Sequence, residues 1–267
     1  MSLGDLLDET FALYRRNFTL FAGIVAVISV PETVINTILA ASRPATFVVK
    51  NGNGTSQLDS NALSQTLVLG GLQILIGIVL SQVIVAALSR AVSDRYLNRN
   101  VTVGQAYASI GGRTLVTLLV ALILFIFLIG VTFFFLIIPA VYFYVRFAFL
   151  PQAIVLERTG IRAAFSRSSQ LVRGSWWRVF GILLVVTLLV AVLNGVVSAA
   201  VIALVTVGNA SGTAGTVITQ ALSGIVNIFV QPIQLGATVL LYYDLRIRKE
   251  GFDLELAAAG MEGRQPV

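Results

Sequence analysis

Glu32 and Arg146 each stand alone inside a long uncharged run of this 267-residue chain. Near its end, Gln220, Ser223, Asn227, Gln231, Gln234 and Thr238 follow one another at steps of three and four. A lone charge in hydrocarbon costs about 2.5–3.5 kcal/mol on insertion scales, so both charges call for partners. Counted down their helices from Ala41 and Ala140, their depths differ by roughly 5 Å at 1.5 Å rise per residue. An intramembrane ion pair is therefore expected, the alternative being that each snorkels or meets a backbone carbonyl. The amide and hydroxyl series falls on one helix face. Gln73, Gly77 and Ser81 do the same in an earlier apolar run, and Asn194 and Ser198 in a later one. Two readings stand. Either these groups hydrogen-bond between closely packed helices, with small residues allowing the approach, or they line a hydrophilic path. In the second case Gln73, Asn194, Gln220, Asn227, Gln231 and Gln234 form the path and Arg146 meets an anionic headgroup or solute. Pro151 and Pro232 would then break helices as in transporters.

Other chemistry is excluded by what the chain lacks. With no histidine and no cysteine, imidazole and thiolate metal sites, Cys or Ser-His nucleophiles and disulfides drop out. Asp5, Asp8 and Glu9 fall on a polar helix face, while Asp244, Glu250, Asp253 and Glu255 alternate with Arg246, Arg248 and Lys249. No carboxylate pair has an apolar pocket to split its pKa values. No phosphate-cradling GxxxxGK[ST] occurs either. No catalytic residue, metal or cofactor is expected.

The elements that position these residues follow from the charge gaps. Only 11% of residues are charged and 57% are hydrophobic, with a mean hydropathy of +0.92; soluble domains carry about 25% charge. A membrane helix needs about 20 mostly apolar residues. The uncharged runs give six spans, near 18–41, 67–88, 115–137, 140–156, 179–206 and 217–243. Pro139 marks the turn within the long run from Leu115 to Leu156, and the polar stretch Gly208 to Gly215 divides the last. The fold class is an all-α integral membrane protein: a single membrane domain over 1–267, a bundle of about six transmembrane helices with amphipathic interfacial helices on the cytoplasmic side. Fifteen of the 18 basic residues then lie on the side of the termini, which the positive-inside bias makes cytoplasmic. The start reads as an uncleaved first helix rather than a secretory signal, its leader being long and acidic.

Three amphipathic segments precede outgoing spans. Leu3 to Phe18 repeats apolar residues at helical spacing, with Ser2 and Asp5 as a capping box. Thr102 to Ile110 has Thr102 and Gln105 in the same relation, and Ile161 to Val172 shows the same periodicity. These are expected to pack on headgroups, with Trp176 and Trp177 as interfacial anchors. Residues 42–66 read as an external loop, 89–114 and 157–178 as cytoplasmic segments, and 244–267 as a cytoplasmic tail with Gly251 after the last helix. The tail either latches the bundle, Phe252 and Leu254 folding back, or docks a protein partner through Trp176, Trp177, Tyr243, Asp244, Arg246, Arg248 and Lys249. A net charge of +6 suits anionic inner-leaflet lipid. Nucleic acid is not expected.

The closing stretch Leu240-Leu-Tyr-Tyr-Asp-Leu-Arg-Ile-Arg-Lys-Glu-Gly-Phe-Asp-Leu-Glu-Leu256, the segment Ala163 to Arg178 and the opening Leu6 to Phe18 together resemble the membrane domain of the glycerophosphoryl diester phosphodiesterase family. The resemblance runs over nearly the whole chain. It implies a stand-alone prokaryotic membrane protein, multi-pass in the cell membrane. The hydrolytic barrel of the fused enzymes needs histidines that this chain lacks, so no catalytic residue carries over. The function expected is a non-catalytic membrane binding or scaffold module contacting lipid headgroups or a partner protein. The alternative is a small transporter or lipid-translocating protein with its path along the last span.

Overall fold

The computed structural model describes residues 2–44, 48–50, 56–208 and 212–251. Among these, helices α1 (Leu3–Arg16) and α2 (Phe18–Ala41) are followed by a short antiparallel ribbon of β1 (Val48–Lys50) and β2 (Ser56–Leu58). Then come α3 (Ser60–Tyr96), α4 (Val103–Ala108), α5 (Gly112–Phe135), α6 (Ile137–Arg146), α7 (Leu150–Glu157), α8 (Ile161–Val172), α9 (Trp176–Val207) and α10 (Gly212–Glu250). Six segments are long and apolar enough to cross a membrane, as the charge gaps require: α2, α3, α5, α6 with α7, α9 and α10.

Both capping boxes form. Ser2 accepts from the Asp5 amide while the Asp5 carboxylate accepts from the Ser2 amide, and Thr102 with Gln105 does the same at α4. Gly251 ends α10 at φ 62°, a left-handed turn that glycine adopts without strain.

Three boundaries move. The stretch read as an external loop over 42–66 already contains the ribbon and the start of α3, whose first turn is capped by the Asp59 carboxylate accepting from the Asn61 and Ala62 amides. The turn expected at Pro139 falls at Leu136 instead. Proline fits in the first turn of α6, where its missing N–H would have no helical acceptor. The fourth span is not one helix but two, separated by Phe147, Ala148 and Phe149, with Pro151 opening α7. The proposed fold-back of Phe252 and Leu254, the centre of the ribbon connection and residues 209–211 of the glycine-rich break lie outside the described residues.

The core sits toward the end where α10 finishes. Leu6, Leu88, Val92, Phe149, Leu171, Leu240 and Tyr242 are all buried there. The amphipathic helices contribute to it: Leu6, Thr10 and Leu13 of α1 and Ala164, Ser168, Leu171 and Val172 of α8 are buried. Their apolar faces are therefore covered by neighbouring helices and not left for headgroups. A periodic apolar face shows that something covers it, and here the cover is protein. Elsewhere large apolar side chains point outward, including Leu67, Phe127, Phe134, Ile138, Leu188 and Val207.

Candidate functional site

The break between α6 and α7 frees backbone groups that need partners, and α8 supplies them. The Ser168 hydroxyl donates to the Arg146 carbonyl at 3.0 Å and accepts from the Phe149 amide at 3.2 Å. The neighbouring Ser169 hydroxyl accepts from Arg146 Nε at 2.9 Å, and Arg146 Nη1 donates to the Tyr142 hydroxyl at 2.7 Å. The Tyr142 ring stacks on Trp176, which stacks in turn on Phe180. These residues wall a recess of about 490 Å³, lined by Tyr142, Arg146, Ser169, Gln170, Arg173 and Trp176. Among the described residues no carboxylate lies within salt-bridge distance of Arg146 or Arg173. Two arginines, a hydroxyl pair and an amide thus line one concavity, with no carboxylate of the described residues paired to either arginine. Oxyanions such as phosphate meet such donors in bidentate fashion.

Beside the recess, the end of α10 is fastened by charge. Arg167 of α8 donates from Nε and Nη2 to the Glu157 carboxylate at 2.8 to 2.9 Å and from Nη2 to Glu250 at 2.7 Å, with a further bond from Nη1 to Glu250. Arg246 reaches both carboxylates, and the Tyr242 hydroxyl donates to Glu157. The hydrogen bond that Arg167 donates to Glu250, seconded by Glu157, pushes the Arg167 pKa above its ordinary value against the opposing effect of burial. Asp244, only 4% exposed, is held by Arg178 at 2.7 Å and by Arg248. Lys249 donates to the Gln170 and Arg173 carbonyls at the end of α8, where a cation suits the helix dipole. Tyr243 shares a 2.6 Å hydrogen bond with Ser93. Of the seven residues read as a docking strip, Tyr243, Asp244, Arg246, Arg248 and Lys249 make these contacts within the chain. Trp176 is built into the recess, and Trp177 is 78% exposed.

The expected pair of Glu32 with Arg146 does not form. Arg146 is the last residue of a ten-residue helix, bound to α8, whereas Glu32 faces Gly77 of α3. The helix is unbroken from Ala140 to Arg146, so depth is not what fails: depth does not say which helices face one another, and α2 packs on α3 and α10 whereas α6 packs on α5, α8 and α9. The polar path also divides. Gln73 accepts from Arg43 rather than joining the series. Asn194 and Asn227, with Ser198 and Ser223, line a cavity of about 210 Å³ between α9 and α10. Gln234 faces a different chamber beside Gln82. Gln231 holds a buried carbonyl oxygen without a hydrogen-bond partner, and Gln220 is half-buried on α10.

A family model described as a domain of unknown function, DUF7847, matches residues 1–245. The chain belongs to the DUF7847 family. No curated protein and no solved structure matches it. The DUF7847 match takes in every residue of the recess and of the Ser168 bridge, and stops one residue before Arg246 of the latch.

Ser169, Gln170, Arg173 and Tyr142 are not singled out as site residues by sequence reasoning. Two signals point toward them. Tyr142 and Arg146 are one turn apart, and Ser168 is a polar residue on an otherwise apolar helix face beside a second serine. Glu157 and Arg167 carry no such signal, because only tertiary packing brings α7, α8 and α10 together.

Proposed function

We propose that this protein is a non-catalytic, multi-pass membrane module that holds an anionic lipid headgroup in the recess formed by Arg146, Ser169, Arg173 and Trp176. Its membrane is the prokaryotic cell membrane, its termini are cytoplasmic, and α1, α4 and α8 lie at the inner-leaflet level. The observation that carries this reading is the pair of arginines, uncompensated among the described residues, in a concavity walled by a tryptophan, the side chain enriched at membrane interfaces. The basic bias of the same face supports it, since anionic inner-leaflet lipid draws such charge. We read the resemblance to the membrane domain of glycerophosphoryl diester phosphodiesterases as kinship of membrane modules, without hydrolysis.

The experiment uses Trp176 as its own reporter. The chain has two tryptophans, so Trp177→Phe leaves one. In detergent, short-chain phosphatidylglycerol shifts Trp176 emission saturably and phosphatidylcholine does not. Equal responses to the two lipids would refute the reading.

A second reading, a small transporter, draws on the cavity of Asn194, Ser198, Ser223 and Asn227. Single cysteines at Asn227, Gln231 and Gln234 test it, because the chain contains none. Labelling of all three by a membrane-impermeant thiol reagent supports a watery path, and protection at Gln231 and Gln234 removes it.

A further inference from the structure

We infer that the recess is the head end of a longer site, in which one acyl chain of an anionic phospholipid leaves the bilayer between α5, α6 and α9 and lodges inside the bundle. This rests on the headgroup reading above. A groove of about 330 Å³ lies between these three helices, lined by Ile129, Val141, Val145, Phe180, Leu183 and Leu184. It adjoins the recess along both shared helices. On α6, Val141 and Val145 of the groove alternate with Tyr142 and Arg146 of the recess; on α9, Phe180 follows Trp176 by one turn. A ligand held by its phosphate at Arg146 and Arg173 thus has apolar wall within one helical turn.

The groove continues inward. Tyr144, Leu183 and Thr187 belong both to it and to a second hollow of about 180 Å³. Leu118, Phe125, Leu150 and Ile154 give that hollow apolar wall. Gln82, Gln234 and Thr238 add polar groups to the same lining. Gln82 is 7% exposed, and its one hydrogen bond is a long 3.4 Å contact donated by its amide nitrogen to Ser81. An amide so placed disfavours a hydrocarbon beside it, so Gln82 sets where an apolar chain stops. Charge at one end, a continuous apolar wall behind it and a polar stop together describe a single-chain slot, which a sterol or a neutral oil would leave without a partner for the arginines.

The test uses the whole protein in nanodiscs of phosphatidylcholine with a minor fraction of phosphatidylglycerol carrying a photoreactive diazirine near the end of one acyl chain. After irradiation and digestion, peptides holding Leu118 to Phe125 and Phe180 to Thr187 are expected to carry at least ten times the label of those bearing the outward-facing Leu188 and Val192. In Leu183→Trp and Val141→Phe, which fill the groove, that excess falls to the level of the outward-facing positions. Uniform labelling of the wild-type protein, alongside retained preference for phosphatidylglycerol over phosphatidylcholine, overturns the chain slot and leaves the headgroup reading standing. Loss of that preference in the wild-type protein overturns the headgroup reading and the slot with it.

Discussion

The Arg146 guanidinium donates to the Ser169 hydroxyl at 2.9 Å, tying the last residue of α6 to the last turn of α8. The adjacent Ser168 bridges the Arg146 carbonyl and the Phe149 amide. The interrupted span is therefore closed by side chains of the amphipathic helix, and the recess exists because α8 packs into the break.

Ser168→Ala removes both bridging bonds from a fully buried position. An unsatisfied buried polar group costs about 1–3 kcal/mol, so thermal unfolding in detergent should show a clear fall in Tm. Ser166→Ala, on the exposed face of the same helix, should leave Tm unchanged. Equal behaviour of the two variants would remove Ser168 from the account of the break.

The crossing of α2 and α10 needs glycine at position 224. A Cβ there would lie 3.0 Å from Thr33 Cγ2, 3.2 Å from its Cβ and closer still to its Oγ1. The Thr33 hydroxyl donates to the Ser29 carbonyl at 2.7 Å, which holds it in place. Overpacking of this kind costs about 1–3 kcal/mol. Gly224→Ala should destabilise, and Thr33→Ala in the same chain should recover most of the loss, whereas additive losses would argue against the close approach.

Arg167 joins Glu157 to Glu250, so Arg167→Ala should loosen the end of α10 before the bundle as a whole. The three side chains are only 19–26% exposed, and losing hydrogen bonds to charged groups costs about 1.5–3 kcal/mol. Hydrogen exchange should quicken over residues 244–250 and stay slow over 236–241. Uniform acceleration would mean that the network supports the whole fold rather than latching one end.

Tyr107 of α4 donates its hydroxyl to the Ile24 carbonyl in α2. Burial pushes its pKa from 10.0 up to about 12. The folded value lies above the unfolded one, so this contribution is fully present below pH 10 and is lost as pH rises toward about 12. Wild-type stability should therefore fall more steeply than that of Tyr107→Phe between those values. Parallel curves would show that the hydroxyl is not buried against α2.

Much of this architecture is legible in the sequence because it is local. A hydrocarbon-length run without charge, a Ser2 or Thr102 three residues before its capping partner, and Gly251 after the last turn each carry their own signal. The break at Phe147 to Phe149 does not. Its one mark is Pro151, which reads equally well as a kink inside a single helix. Glu32 and Arg146 fail for another reason: similar depth does not make two helices neighbours, and α2 packs on α3 and α10 while α6 packs on α5, α8 and α9, so Arg146 turns to Ser169 of α8. The amide series on α10 is regular in sequence, but its neighbours change from α9 at Asn227 to the Gln82 chamber at Gln234, so regular spacing does not make a continuous path.

The headgroup claim is tested most directly by native mass spectrometry of protein extracted from nanodiscs of equal phosphatidylglycerol and phosphatidylcholine. The wild-type chain should retain phosphatidylglycerol at least fivefold over phosphatidylcholine, a difference of about 1 kcal/mol. Arg146→Gln with Arg173→Gln should bring that ratio to unity while Arg15→Gln with Arg16→Gln leaves it unchanged. A ratio near unity in the wild-type chain, or one that survives loss of both recess arginines, would contradict the account.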